Sequence, residues 1–334
     1  MSKFMTRPVF REFRSILDDI HDLLTFKREF AILLRLIHDL SMATSSFNQF
    51  RLKTLKEEYD KLRPGKDSLL KLLDESEISE SVYNSNAIEN STLTLKQTEK
   101  ILMEMELSKD LSLREVFEAK NLARVIEYIR AKSAESELNK EIMLFLHQML
   151  IGGIDDGIAG RFRAKMEYVR VGSHIAPAPE QIQPMLDRAL FAYAEFSTQS
   201  SNYFIDRVAL FHLEFERIHP FNDGNGRMGR VITNWQLQKI GFPPVIIRNK
   251  EKQNYYDSFK EYDGKRKTEI MEQILTLALM ESLNKRIAYL AGKEIVTLAE
   301  YSKSSDKSLS ALLNMAKRQT IPAFREKGVW MIGA

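Results

Sequence analysis

Twelve consecutive residues, His219-Pro220-Phe221-Asn222-Asp223-Gly224-Asn225-Gly226-Arg227-Met228-Gly229-Arg230, bring an imidazole, a carboxylate, a glycine-rich turn and two guanidinium groups together. An imidazole titrates near neutrality and can accept a proton there. A carboxylate oxygen suits a hard divalent cation. Gly224 and Gly226 flank Asn225, and all three tolerate positive φ, so this turn can aim several backbone N–H groups at one anion. Arg227 and Arg230 add two fixed positive charges. The set suits a nucleoside triphosphate whose phosphates are to be attacked.

Flanking elements must hold these groups in place. Pro220 fixes its own φ and pushes His219 toward an extended backbone, so a preceding helix should stop near Ile218. From Arg227 onward Val231, Ile232, Trp235 and Leu237 supply an apolar helix face, which Gly241-Phe242-Pro243-Pro244 ends. Arg227 and Arg230 share a face near that helix's N-terminus. Two cations there oppose the helix dipole unless an anion lies between them, a local conflict of the kind functional sites show. Taken singly, a Gly-Asn-Gly turn, a histidine and an arginine pair each have an ordinary structural explanation. Their coincidence in one fixed order argues for chemistry.

The string His219-x-Phe221-x-Asp223-Gly224-Asn225-Gly226-Arg227-x-x-Arg230 resembles, at every defining position, the motif of the Fic-domain proteins. The resemblance continues upstream through Ser85-Asn86-Ala87-Ile88-Glu89-Asn90, Leu146-His147 and Gly160-Arg161-Phe162-Arg163, and covers roughly residues 75 to 285. Fic proteins are helical enzymes that mostly transfer AMP from ATP to a protein hydroxyl. The resemblance implies that His219 is the general base for a Ser, Thr or Tyr hydroxyl. Asp223 would hold the Mg²⁺ that bridges the α and β phosphates. Gly224, Asn225 and Gly226 would form the anion hole, Arg227 would grip the β phosphate and Arg230 the γ phosphate, with Phe221 anchoring the loop. Tyr255 and Tyr256 open a helix at positions comparable to those where the family lines its adenine pocket; packing is their ordinary alternative.

Ser79 to Glu89 can form a helix closed by Asn90, and Thr94-Leu95-Lys96-Gln97 reads as a capping box for the next one. A glutamate near a helix C-terminus is disfavoured by the dipole, so Glu89 should have a cationic partner. The segment resembles the family's inhibitory signature, Ser/Thr-x-x-x-Glu-Asn/Gly, in the subclass that carries its inhibitor in cis. The resemblance implies that Glu89 occupies Arg230, so that ATP binds unproductively, and that Ser85 fixes the helix against the nucleotide site. In some relatives this glutamate also positions a water that removes AMP; whether Glu89 does so is left open. Arg163 to Val171 alternate long polar and apolar side chains as a strand would, Gly172-Ser173 offers a turn, and Ile175-Ala176-Pro177 returns. In the family this hairpin is the active-site flap, where a target protein adds as a further strand. Arg161 and Arg163 before it have two uses open to them, closing on the ligand or pairing with acidic neighbours, and the second is expected.

The expected fold class is all-α, a mainly helical Fic fold with a small β-hairpin flap, followed by a winged helix-turn-helix-like domain. Residues 1–72 read as an N-terminal helical arm, with apolar faces at Phe30 to Ile37 and at Phe47, Phe50, Leu52 and Leu55. Residues 73–288 would be the Fic domain, with an inhibitory helix at about 79–89, a flap at about 162–177 and the catalytic loop at 219–230. In 292–334 a capping box (Thr297 to Glu300) opens one helix, Ser308 to Arg318 make a second, and 321–332 form a hairpin. From 293 onward seven Lys/Arg oppose four Asp/Glu, a weak basic bias that suits DNA or, equally, a protein partner. Two classes of function follow. One is an autoinhibited AMP transferase, with itself as a first substrate and homodimers as in many relatives. The other is a DNA-binding regulator whose Fic core senses nucleotide without turnover; it has no need of His219, so the intact motif favours the enzyme.

Composition is consistent with either. The 334 residues are 44% hydrophobic and 28% charged, ordinary for a globular protein. There is no cysteine, hence no disulfide framework and no thiolate site. A net charge of +3 is too small to argue for nucleic acid. The start, Met1-Ser2-Lys3-Phe4-Met5-Thr6, lacks a signal-peptide core, and no apolar run reaches membrane-spanning length, so a cytoplasmic location without membrane contact is expected.

Overall fold

Side-chain caps and left-handed residues divide the chain into helices, and the computed structural model describes residues 46–104, 111–171, 174–199 and 204–334. Helix α1 (Ser46–Leu62) stops before Arg63-Pro64-Gly65-Lys66, and α2 (Asp67–Ile88) follows. The face at Phe30 to Ile37 lies outside the described residues. In α1, Leu52 and Tyr59 are buried, whereas Phe47 and Phe50 are exposed. Asn90, at φ 68°, closes α2 in the left-handed region, with Ser91 N–H donating to the Asn86 carbonyl at 3.0 Å. The Thr94–Gln97 capping box, with both reciprocal bonds made, opens α3 (Leu95–Glu99), which runs on as a π-turn. Then come α4 (Leu113–Lys132), α5 (Lys140–Ile151), a short β1 (Arg170–Val171) and β2 (His174–Ile175), and α6 (Pro179–Gln199). Helices α7 (Phe204–Ile218) and α8 (Asn225–Lys239) bracket the motif, and α9 (Lys252–Lys265) and α10 (Glu269–Leu290) complete the helical body.

Two apolar cores meet at α7 and α8. Phe211, Phe215 and Ile218 of α7 join Met228, Val231 and Trp235 of α8 in one core with Leu122, Leu146 and Phe221. Val208 and Leu213 of α7 and Leu237 of α8 enter the other, with Ile88, Tyr255, Leu279 and Leu283. Helix α10 packs against α1, α7 and α9 and also meets the C-terminal strands, so it is buried nearly all round. Its buried charges are paired. Arg286, 1% exposed, donates to Asp74 and Glu77 of α2 at 2.6 and 2.7 Å.

The flap differs from the sequence expectation. Among the described residues two pairs form a ladder, Arg170 with Ile175 and Val171 with His174. The alternation from Arg163 to Val169 folds instead into a tight turn: Met166 takes φ 73°, Glu167 N–H donates to the Ala164 carbonyl, and Ala164 N–H donates to the Glu167 carboxylate. Arg161 forks onto the same carboxylate with two 2.7 Å bonds, and this local cluster outcompetes strand extension.

The C-terminal segment contains the expected two helices, α11 (Leu298–Ser304) and α12 (Leu309–Lys317), and the hairpin β4 (Ala323–Glu326) and β5 (Val329–Gly333). It also contains an unforeseen β3 (Ile295–Thr297), which pairs with β5 to give an antiparallel sheet of order β3-β5-β4. Leu298, Leu312, Ala316, Ala323 and Ile332 make its small core. Lys327 and Gly328, at φ 50° and 81°, form the two-residue hairpin turn. Among the described residues no helix is long and apolar enough to cross a membrane.

Arg286 gives the fold a test. Among the described residues, replacement by Met removes the salt-bridge partner of Asp74 and leaves Glu77 with Lys285. Breaking a buried pair from one side costs about 3–5 kcal/mol. Arg286→Met should therefore lower the free energy of unfolding by that order in urea titration, with an unchanged m-value.

Candidate active site

The site is built at the junction of α7 and α8. Helix α7 ends at Ile218, but His219 does not become extended: its φ is +50°, and its N–H still donates to the Phe215 carbonyl at 2.9 Å. The carbonyls on either side explain this. Arg163, 3% exposed, donates Nε to the His219 carbonyl at 2.8 Å and Nη2 to those of Ile218 (3.3 Å) and Pro177 (2.9 Å). Its own N–H donates to the Pro220 carbonyl at 2.9 Å. Arg163 thus fastens the flap to the loop through carbonyls, whereas pairing with acidic side chains was expected. The half-buried His219 ring places Nδ1 3.2 Å from the Glu216 carbonyl. A carbonyl can only accept, so Nδ1 carries the proton and the basic lone pair of the neutral ring lies on Nε2.

Phe221 is fully buried and stacks on His147, with centroids 3.8 Å apart and planes within 8°. His147 Nδ1 accepts from Gly160 N–H at 3.0 Å, so Nε2 must donate to the Asp223 carbonyl at 3.1 Å. Burial pushes the His147 pKa down to about 4, which keeps this tautomer neutral. Asn225 closes the loop on the other side, exchanging two hydrogen bonds of 2.8 and 2.9 Å with the Phe221 backbone. Its side chain is therefore committed to the loop, and what faces outward at the start of α8 is backbone. Gly224, at φ 79°, is the N-cap of α8, two residues earlier than the sequence indicates.

Asp223, Gly224, Gly226, Arg227 and His219 line a cavity of about 350 Å³ with Asn86, Glu89, Arg114 and Glu118. The Asp223 carboxylate is met by Arg114 of α4 and lies 3.4 Å from Arg227 Nη2, while Glu118 contacts both arginines at 3.1 and 3.3 Å. Mg²⁺ keeps several waters and substrate phosphates and takes one or two carboxylates. A single partly exposed Asp223 fits that need. Among the described residues no group of three acidic, His or Cys side chains gathers to cage a metal unaided.

Behind this cavity lies Arg230, 6% exposed. Its Nε donates to Ser85 Oγ at 2.9 Å, its Nη2 to the Ser85 carbonyl and to Glu89 Oε1, both at 2.8 Å. Its Nη1 lies 3.4 Å from the Tyr255 hydroxyl. Burial by itself lowers the Arg230 pKa, but Tyr255, Glu89 and Glu216 outweigh it and hold the cation above its ordinary value. Glu89 fits against α8 because residue 226 has no side chain; a Cβ there would lie 2.2 Å from Glu89 Oε1. Tyr255, 1% exposed, bonds His212 Nε2 at 2.8 Å, and Tyr256 donates to the Ile88 carbonyl at 2.6 Å. Neither tyrosine lines the 350 Å³ cavity; both serve packing around Arg230 and α2.

Residues 137–237 match the sequence model of the Fic/DOC family. This segment is similar to the Fic domains. Similar curated proteins include the protein adenylyltransferase Fic of Drosophila willistoni, 34% identical over 181 residues, which are 54% of this chain and 36% of that protein. The Drosophila virilis protein of the same name is 31% identical over 219 residues, 64% of this chain and 44% of the other. The chain thus spans well under half the length of these relatives. Among solved structures, a Fic domain containing signaling protein from Bacteroides thetaiotaomicron superposes with a TM-score of 0.67 at 25% identity, covering 73% of this chain and 98% of that one. A Fic-1 fragment from C. elegans gives 0.63 at 24% identity, with 74% of each chain covered, and shows the fold alone. Ser85 and Glu89 lie outside the matched segment 137–237.

Sequence reasoning assigned no role to Arg114, His147, His212 or Glu216. His147 stood in a quoted stretch; the others carried no local signal, since α4, α7 and α8 meet only in the fold. Glu216 Oε1 is sealed from solvent with no hydrogen-bond partner, and it would lie 2.3 Å from a Cβ at Gly229. Burial, aided by Glu89 and opposed by Arg230, pushes its pKa from 4.5 to about 8. The folded state therefore binds this proton more tightly than the unfolded chain, and the stability it contributes is complete below about pH 4.5 and lost by about pH 8. Thermal melts from pH 5 to 9 should show wild type losing stability up to about pH 8 and then levelling, with that component missing in Glu216→Gln.

Proposed function

We propose that this chain is a protein adenylyltransferase that moves AMP from ATP to a Ser, Thr or Tyr hydroxyl of a target protein, and that Glu89 restrains it. The observation that carries the reading is the 2.8 Å contact between Glu89 and Arg230, the cation that the γ phosphate would need. The names of the similar Drosophila proteins support the activity.

In the active arrangement His219 Nε2 takes the proton from the target hydroxyl while that oxygen attacks the α phosphorus and the bond to pyrophosphate breaks. Backbone N–H groups at Gly224, Asn225 and Gly226 receive the developing negative charge. Arg227 turns from Asp223 to the β phosphate, and Arg230 turns from Glu89 to the γ phosphate. Asp223 would hold Mg²⁺, which when bound supplies positive charge to the α and β phosphates. With Glu89 in place, the phosphate chain has no seat for its terminal group and the α phosphorus misses the line of attack.

The target binds along the flap. Met166, Tyr168, Val171 and Ile175 are exposed there beside the short β1–β2 ladder, an edge of the kind to which a target strand can add. The same site would label the chain itself, and Glu89 could serve AMP removal once displaced from Arg230. A cytoplasmic setting belongs to this reading. DNA binding by the C-terminal module is the second reading, and the hairpin argues against it, since Arg325 and Lys327 are held by Glu281, Glu251 and Glu99.

Removing a charged hydrogen bond of this kind is worth about 1.5–3 kcal/mol, roughly 10- to 100-fold. Incubated with α-labelled ATP and Mg²⁺, Glu89→Gly should incorporate label faster than wild type by that order. His219→Ala in the same background should lose on the order of 10²–10⁴-fold. Equal labelling of wild type and Glu89→Gly would end the inhibitory assignment; labelling that survives His219→Ala would end the catalytic one.

A further inference from the structure

Helix α2 carries Ser85 and Glu89 at its C-terminal end, and what fixes α2 lies further back along it. Asp74, Glu77 and Glu80 recur at intervals of three, and each is taken up by cations or donors from elsewhere. Asp74 and Glu77 meet Arg286 of α10, and Glu77 also meets Lys285 at 3.1 Å. Glu80, 5% exposed, meets Arg248. Its remaining partners are two backbone N–H groups of the C-terminal hairpin turn. Lys327 N–H donates to Oε2 and Gly328 N–H to Oε1, both at 3.0 Å. The positive φ angles of Lys327 and Gly328 are what aim both N–H groups at one carboxylate.

The hairpin is itself held by charges that continue this network. Arg325 of β4 forks onto Glu281 of α10 at 2.6 and 3.0 Å and reaches Glu251 at 2.7 Å. Glu281 also receives Arg248 at 2.8 Å, so Arg248 joins the Glu80 contact to the Arg325 contact. Lys327 Nζ reaches Glu99 at 2.8 Å. A buried carboxylate that loses donors is strongly destabilised, and a half-satisfied network is worse than none. Lifting the hairpin turn leaves Glu80 with Arg248 alone, on the same stiff helix as Glu89, nine residues or roughly 13 Å away.

We propose that the C-terminal module is a control element for the inhibitory helix: its hairpin turn caps Glu80, sets the position of α2, and thereby keeps Glu89 on Arg230. The proposal rests on the inhibitory reading of Glu89. An event that draws the hairpin away from α2 would release Arg230 for the γ phosphate without touching the active site. This gives the module a task for which neither DNA contact nor catalysis is required.

The test uses the full chain with Glu80→Ala and, separately, Lys327→Glu, each alone and combined with Glu89→Gly. Lys327 is largely exposed, so its reversal threatens no core and decides the matter if Glu80→Ala fails to fold. Each single variant should raise label incorporation about fivefold or more, the lower range of coupling between sites. In the Glu89→Gly background neither should add further gain. Amide exchange over residues 84–90 should quicken in both single variants. If Glu89→Gly is active while both variants label and exchange as wild type does, the coupling is wrong. If Glu89→Gly itself is silent, the inhibitory reading has failed, and the exchange data still decide: faster exchange supports the link between turn and helix, and unchanged exchange overturns it.

Discussion

A guanidinium that is buried and cannot shed its proton must always have an anion, and Arg230 is such a group. Its neighbourhood is arranged around that need. Ser85 supplies two oxygens, Glu89 a carboxylate, Tyr255 a hydroxyl, and His212 completes the chain by bonding Tyr255. Because Ser85 and Glu89 belong to α2 while Arg230 belongs to α8, satisfying one charge also locks two helices together. The contact that solves this desolvation problem is the one on which the proposed restraint rests.

The loop before Arg230 obeys a second constraint. His219 sits at positive φ, a conformation that residues other than glycine adopt at some cost, and the surroundings over-determine it. Arg163 holds its carbonyl, His147 holds that of Asp223, and Asn225 holds both backbone groups of Phe221. Two residues remote in sequence, Arg163 and His147, thus converge with the neighbouring Asn225 on the five residues 219–223. The backbone path of the turn is thereby fixed, with the Gly224 N–H held on the Asp223 carboxylate at 2.6 Å, so the exchange of one anion for another at this turn would need side chains to move but not the main chain.

Much of this was legible in the sequence because its signals are local. Pro220 gave the end of α7, Asn90 the end of α2, and Thr94 and Thr297 their capping boxes; each rests on one residue's own geometry or on partners within a turn. The motif also placed an imidazole, a carboxylate and two arginines on one cavity or directly behind it. What local reasoning could not see depends on other elements. Arg163 overrode the extended backbone that Pro220 favours at His219, and the Arg161–Glu167 fork folded what alternation presented as a strand. The strand Ile295–Thr297 is three residues long and exists through pairing with β5, so no periodicity could announce it. Helix α10 hid its role for the opposite reason: buried all round, it shows no apolar stripe.

Gly226 occupies the point where the two uses of the site overlap. Its missing side chain is the space that the Glu89 carboxylate fills; in the proposed active arrangement its bare backbone would be part of the cradle offered to phosphate. A side chain at this position would meet the Glu89 carboxylate at once. On the proposed reading it would both displace the restraint and crowd the phosphate, so the two functions could be separated by substitution at position 89 but not at position 226.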